Sequence, residues 1–265
     1  MSYLEIAKSL ALKAGKIMSE GQRKGFEVRE KSLADFVTNI DIEIEEMVRK
    51  ELKALTPDFL ILGEEAGEQD WSKYEQAEYC WILDPLDGTS NYASRLPHFA
   101  FSLGLVKNSK PILGVVFDTR EMFFAEEGKG AFVSYRGFTT KKISVGSKEN
   151  SKNSMLAIGV PDFSIPHFEE KKFWYLKFVN NFGKIRSLGA SALDIAWLAD
   201  GRIEAFFQES IKPWDVAAAS IIASEAGAVV KSLDKSNRNK LVDFSVYSGD
   251  ILVCNPLIYK SVFSE

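Results

Sequence analysis

The run Tyr79-Cys80-Trp81-Ile82-Leu83-Asp84-Pro85-Leu86-Asp87-Gly88-Thr89 takes an apolar strand out into an acidic turn. The strand is expected to stop at Asp84-Pro85. Pro85 stiffens the turn, and Gly88 lets the backbone come close to a ligand. Thr89 and Ser90 then start a short helix, whose first amides lack internal partners. Amides at a helix start bind anions such as phosphate. The hexapeptide Asp84 to Thr89 therefore offers carboxylates for a cation and amides for a phosphate. Magnesium favours a few carboxylates, several waters and phosphate oxygens, a combination suited to phosphoryl transfer to water. The same residues also read as an Asp-Pro turn followed by an Asp-Gly turn joining two strands.

On the N-terminal side, Leu4, Ile6, Ala7, Leu10, Ala11, Ala14, Ile17 and Met18 recur at helical spacing, so residues 3 to about 22 form an amphipathic helix. Residues 23–38 are polar and read as a loop or a loose hairpin. A second helix over 40–55 places Ile44, Met47, Val48, Leu52 and Leu55 on one face and ends at Pro57. Phe59-Leu60-Ile61-Leu62 is a short strand that stops at Gly63-Glu64-Glu65.

On the C-terminal side, strands are expected over Phe99–Val106, Ile112–Phe117, Met122–Phe124 and Ala131–Val133, with turns between them. Gly128-Lys129-Gly130 reads as one of these hairpin turns rather than as a phosphate loop. The polar stretch Ser147 to Asn153 marks a soft boundary. It divides a first part, 1–146, carrying the helix pair and an antiparallel-rich sheet, from a second part, 147–265, that completes one compact unit. Strands and helices alternate after it, ending in a helix after Pro256, which indicates a layered α/β architecture. Phe168, Phe173, Trp174, Tyr175 and Phe178 form a packed helix face or a subunit contact.

Composition narrows the class. With 46% hydrophobic and 26% charged residues the chain can bury a large core. Acidic residues number 37 against 33 basic, so no cationic excess advertises nucleic acid. Cys80 and Cys254 are too few and too far apart for a disulfide framework or a zinc pattern. No signal-peptide core is present, and no run approaches the roughly 18 apolar residues of a membrane span. The expectation is a cytoplasmic protein. His98 and His167 fall in no metal-ligand or triad pattern.

Further acids share the design of the central turn. Glu64 follows the strand at 59–62, and Asp215 follows Lys212-Pro213-Trp214 and opens a helix. Ligand sites of open α/β sheets lie beyond strand ends, so these acids can converge with Asp84 and Asp87. Each alone has an ordinary reading: Glu64 as a solvated loop residue, Asp215 and Asp41 as helix caps.

Taken together, the motifs resemble the inositol monophosphatase family of magnesium-dependent, lithium-sensitive sugar phosphatases. Gly63-Glu64-Glu65 with Trp81 to Tyr92 matches the family's first signature, and Trp214-Asp215-Val216-Ala217-Ala218 with Glu225-Ala226-Gly227 the second. Arg186-Ser187-Leu188-Gly189 matches a stretch between them. The resemblance spans essentially the whole chain. It implies a five-layer α/β/α/β/α sandwich, usually a homodimer, and two or three Mg2+ ions per site. It implies metal ligands at Glu64, Asp84, the Leu86 carbonyl, Asp87 and Asp215. Asp41 and Thr89 align with the pair that orients the attacking water, and Gly88 and Thr89 with phosphate-binding amides. Lys31 falls in the loop near a third metal. The implied reaction is in-line attack by a metal-activated water on myo-inositol 1- or 4-monophosphate. Asp87, Gly88, Thr89, Arg186, Gly189, Ser191, Gln208 and Asp215 would touch the substrate.

The chain departs from this pattern at one edge. Many inositol-selective relatives carry a Glu seven residues before the second-signature Asp, where this chain has Gln208, and Ser191 replaces a common Ala. Gln keeps hydrogen-bonding capacity but loses the charge. A fructose-1,6-bisphosphatase or dual-specificity sugar phosphatase is therefore the alternative. Arg186 could assist a second phosphate or serve as a structural ion-pair partner. A 3′-phosphoadenosine phosphatase would need an adenine pocket that no motif marks. A partner-binding regulator could use Lys141-Lys142 or Arg238-Asn239-Lys240. Direct binding to nucleic acid or membrane is not expected.

Overall fold

The computed structural model describes residues 1–32, 35–67, 70–135, 139–159, 168–234, 236–237 and 240–263, without the side chains of 31, 32, 35 and 168–172. The chain opens with α1 (Tyr3–Lys24), the hairpin β1 (Val28–Ser32) and β2 (Asp35–Thr38), and α2 (Asn39–Leu55). Then come β3 (Leu60–Gly63), α3 (Ser72–Glu75), β4 (Tyr79–Asp87) and α4 (Thr89–Ala93). An antiparallel meander follows: β5 (Ala100–Lys107), β6 (Lys110–Phe117), β7 (Glu121–Glu126), β8 (Ala131–Tyr135) and β9 (Thr139–Ile143). The rest comprises β10 (Met155–Ile158), α5 (Phe168–Asn181), β11 (Lys184–Arg186), α6 (Ser191–Ala199) and β12 (Ala205–Glu209). It closes with α7 (Pro213–Glu225), β13 (Val229–Leu233), β14 (Leu241–Asp243), β15 (Asp250–Cys254) and α8 (Pro256–Val262).

These elements form five layers, α/β/α/β/α. The first sheet has seven strands in the order β3-β4-β5-β6-β7-β8-β9, and the second has six in the order β11-β10-β12-β15-β13-β14. Strand alternation builds the layers. On β4, Trp81 and Leu83 face α1 and α2, while Cys80 and Ile82 face the middle of the molecule. There they meet α6 and α7, whose other side packs on Phe206, Ile251 and Val253 of the second sheet. The far face of that sheet, with Leu156, Phe207 and Leu252, buries Trp174 and Phe178 of α5 and Ile258 of α8. Trp174, Tyr175 and Phe178 thus form a packed helix face, with Phe173 left exposed, while the Phe168 side chain lies outside the described residues. A helix with two buried sides must be apolar all round, and Val216 to Ala223 of α7 are all buried.

How closely α7 approaches the first sheet is set by two glycines. Gly104 and Gly114 are cross-strand partners on β5 and β6. A Cβ on Gly114 would fall 2.2 Å from the Ala218 carbonyl oxygen, and one on Gly104 would fall 2.9 Å from the Ala218 amide nitrogen. Strand backbone lies directly against helix backbone here, which draws the N-terminal end of α7, carrying Asp215, toward the end of β4. The Gly114→Ala variant must separate the two elements. Overpacking of this kind costs about 1–3 kcal/mol, so thermal denaturation should show a melting temperature lower by several degrees. An unchanged melting temperature would contradict this packing.

Two expectations need correction. Strand β4 does not stop at Asp84-Pro85 but runs on to Asp87. Asp84 pairs with Ser102 and Asp87 with Ala100, so one extra residue sits in β4 as a bulge. A bulge frees one residue from the ladder, and that is how a sheet accommodates proline. Asp215 does not cap α7. Lys212 is the cap residue and Asp215 sits in the first turn, accepting from the Lys212 amide at 2.9 Å.

The loose hairpin over 23–38 is the two-stranded β1–β2 unit. Glu225 settles the Gly128-Lys129-Gly130 turn, because its carboxylate accepts from the Gly128 and Gly130 amides at 2.8 and 2.7 Å. That seat is already filled by the protein's own anion. Both cysteines are buried free thiols. No described helix is long and apolar enough to cross a membrane.

Candidate active site

The predicted acids meet where β3 and β4 end and α7 begins. Ligand oxygens of Asp84, Asp87 and Asp215 all lie within 4.8 Å of one another. A cavity of about 380 Å³ opens over them, lined also by Glu64, Leu86, Gly88, Thr89, Gly189 and Gln208. A larger cavity of about 470 Å³ lies between α1 and α2. Its Lys24 and Lys13 are tied to Glu20 and Glu51, each at 2.6 Å, and among the described residues it holds no comparable cluster of acids.

Local hydrogen bonds aim each carboxylate. Asp84 Oδ1 accepts from the Leu86 amide at 2.9 Å across the bulge. Asp87 is held by the start of α6: Oδ1 accepts from the Ser191 amide at 3.0 Å, and Oδ2 from the Ala192 and Leu193 amides at 2.9 and 3.2 Å. Gly88 turns the chain out of the strand at φ 85°. A Cβ there would fall 3.0 Å from both the Ala190 Cβ and the His98 carbonyl oxygen, so conformation and space both require glycine. The helix that follows, α4, is a single turn of five residues.

Asp41 lies in the first turn of α2, and its Oδ2 accepts from the Thr38 amide at 2.9 Å and from the Thr38 hydroxyl. Oδ1 remains for Thr89, whose Oγ1 sits 3.0 Å from it and 2.9 Å from the Leu86 carbonyl oxygen. Asp41 is thus not the cap of α2, a place taken by Thr38; like Asp215 on α7 it sits in the first turn, and from there it reaches Thr89.

Electrostatics make this cluster costly as it stands. Asp84 is pushed well above the usual carboxylate range, by burial first and then by Glu64, Asp87 and Asp215. Asp87 is pushed up to about 7 by burial and by Asp194, against the opposing pull of the three α6 amides. Asp215 also rises to about 7, from desolvation and from Asp87. Among the described residues no lysine or arginine lines the cavity, although Lys212 next to α7 pulls partly against the rise of Asp215. The donors are all oxygen, a set that suits a hard cation such as Mg2+, Mn2+ or Ca2+. Residues and charge both fit a metal.

Other expected site residues stand further off. Ser191 leaves the acids to its amide, while its hydroxyl donates to Gln208 Oε1 at 2.8 Å. Arg186 is exposed, donates Nη1 to the Ile185 carbonyl at 2.8 Å, and is not part of the cavity lining. The Lys31 side chain lies outside the described residues, as do His167, Arg238 and Asn239. Sequence reasoning missed Phe36, which lines the cavity together with Ser90 of the helix start. It also missed the pair of His98 Nε2 and buried Asp194, 2.7 Å apart. No local pattern could reveal that pair, because its members are 96 positions apart.

Comparison with known proteins agrees with this arrangement. The inositol monophosphatase family model matches residues 1–263. A "Fructose-1,6-bisphosphatase/inositol-1-monophosphatase" of Aquifex aeolicus is 35% identical over 238 residues, covering 86% of this chain and 84% of its own. A "Nus factor SuhB" of Xylella fastidiosa is 36% identical over 234 residues, covering 86% and 80%. The solved structure of a Thermotoga maritima IMPase superposes with a TM-score of 0.80 at 31% identity, covering 99% of this chain and 95% of that one.

Proposed function

This chain belongs to the inositol monophosphatase family, and we propose that it is a Mg2+-dependent phosphatase acting on small phosphate monoesters, with myo-inositol 1- or 4-monophosphate as the leading substrate. The observation that carries this reading is the approach of Asp84, Asp87 and Asp215 to within 4.8 Å on a cavity that no lysine or arginine lines among the described residues.

Glu64, Asp84, the Leu86 carbonyl, Asp87 and Asp215 would hold the metal. A divalent cation there supplies Lewis-acid charge and a bound water of lowered pKa. The protein's own groups do the aiming. Thr89 directs its hydroxyl hydrogen to Asp41 Oδ1 and keeps its lone pairs for the attacking water, while Gly88 and Thr89 present amides to the phosphate. The water oxygen bonds to phosphorus as the phosphorus–alkoxide bond breaks; one proton of that water stays on the phosphate formed and the other passes to the alkoxide, which leaves as the alcohol. Positioned proton handling contributes roughly 10²–10⁴-fold. Thr89→Ala should therefore lower kcat by about 100-fold with KM little changed. A kcat within twofold of the wild type would remove Thr89 from this role.

A second substrate reading rests on Gln208. It lines the cavity without charge and accepts from the Ser191 hydroxyl, so no carboxylate selects for ring hydroxyls. That favours a broader sugar phosphatase, with fructose 1,6-bisphosphate as a second substrate. The deciding experiment is a Mg2+-supplemented panel of inositol 1-phosphate, fructose 1,6-bisphosphate, 3′-phosphoadenosine 5′-phosphate and glycerol 2-phosphate. Phosphate release from none of them would end the phosphatase reading.

A further inference from the structure

Glu64 differs from the other acids of the site in the element that carries it. It sits in a single 3-10 turn, Glu64–Ala66, none of whose residues is buried. Asp84 is fixed by a sheet, and Asp87 and Asp215 by helix starts. The turn of Glu64 has a support of its own.

Helix α2 supplies it. Glu45 lies one turn beyond Asp41, on the same face of the helix. Its Oε2 accepts from the Glu65 amide at 3.0 Å, and its Oε1 accepts from Arg49 Nε at 2.7 Å. Arg49 Nη1 in turn donates to the Ile61 carbonyl at 3.1 Å. The pair thus grips the chain on both sides of Gly63-Glu64. Gly63 permits the grip, since a Cβ there would fall 2.6 Å from Glu45 Oε1 and 2.7 Å from Arg49 Nη2.

Stability alone is a poor explanation for this arrangement. Glu45 is only 5% exposed, and a buried ion pair is weak evidence of net stabilisation. Arg49 Nη2 is also buried without a hydrogen-bond partner among the described residues. What the pair does achieve is geometric. Through Asp41 the helix fixes Thr89, and through Glu45 it fixes the turn of Glu64.

We infer that Glu45, braced by Arg49, is a positioning residue that holds Glu64 in register with Asp84 for metal binding. The inference rests on the proposed role of Glu64 as a metal ligand. Groups that orient a ligand typically carry about 10–100-fold in metal affinity or activity. Glu45→Gln keeps shape and an acceptor; Glu45→Ala removes both contacts.

The test reads Mg2+ twice, as the concentration giving half-maximal phosphatase activity and as the concentration giving half of the Mg2+-induced rise in melting temperature. Both midpoints should rise about 10-fold in Glu45→Gln and toward about 100-fold in Glu45→Ala. Glu64→Gln should shift them the same way, and the double variant Glu45→Gln/Glu64→Gln should add little to Glu64→Gln alone. Wild-type midpoints in a Glu45→Gln protein of lowered metal-free stability would overturn the inference, and so would fully additive shifts. A wild-type protein without any Mg2+ response would instead overturn the metal reading itself, and this inference with it.

Discussion

Asp84→Asn should reduce turnover at least about 1,000-fold while the metal-free protein melts no lower than the wild type. The two halves of this expectation share one cause. Asp84 is buried beside Glu64, Asp87 and Asp215, and burial with their like charge pushes its carboxyl well above the usual range. An amide of the same shape removes a buried charge and its repulsion, so the fold without metal should lose nothing. Activity should collapse, because a metal site supplies several kcal/mol of transition-state stabilisation, and each 1.36 kcal/mol is tenfold in rate. Steady-state kinetics and thermal denaturation on the same preparation check both halves. Opposite signs for activity and stability would mark a site whose charges serve function at the expense of the fold. A loss of both together would make Asp84 a structural residue.

The second expectation concerns removal of the metal. EDTA should bring phosphate release to background, and added Mg2+ should restore it. Mg2+ should also raise the melting temperature, because the acids meet within 4.8 Å only when folded and are dispersed in the unfolded chain. A ligand at 100 times its Kd stabilises by about 2.7 kcal/mol. For a domain somewhat above 200 residues, 1 kcal/mol corresponds to roughly 2–4 °C, so the rise should be about 5 °C or more. Asp215→Asn should shrink it by removing a carboxylate from the cluster. A melting temperature indifferent to Mg2+ in wild type and variant would argue against metal at this cluster.

Much of the architecture was legible in the chain because two periods dominate it. Leu4 to Met18 and Ile44 to Leu55 repeat at helical spacing, and both segments are helices. The apolar runs ending at Glu64 and Asp84 are adjacent parallel strands, so acids at their ends share one edge of the sheet. The illegible parts lacked a local signal. Strand β9 carries exposed Lys141 and Lys142, and β14 is a three-residue strand of little burial. Both sit at sheet edges, where charge and short length hide the strand pattern. Pro85 looked like a stop because a bulge is a property of two strands, and the sequence shows one at a time. Glu45 was one of several acids on α2, beside Glu43 and Glu46. Only the fold reveals that it faces the Glu65 amide. Gly104 and Gly114 carried no mark of the helix that lies against them.

The substrate side was the least legible. The proposed reaction at phosphorus draws on one bulge and two neighbouring acids, all close in sequence or at strand ends. On that proposal, selection of the alcohol would fall to Gln208 and Ser191, brought together from β12 and α6, while Arg186 lies outside the cavity lining.

The most direct test of the metal-phosphatase account is phosphate release from inositol 1-phosphate by metal-stripped protein as Mg2+ is added back, with Asp84→Asn alongside. The account predicts a saturable rise from background in the wild type and a flat line in the variant. Equal release with and without Mg2+, or equal rates for the two proteins, would contradict it.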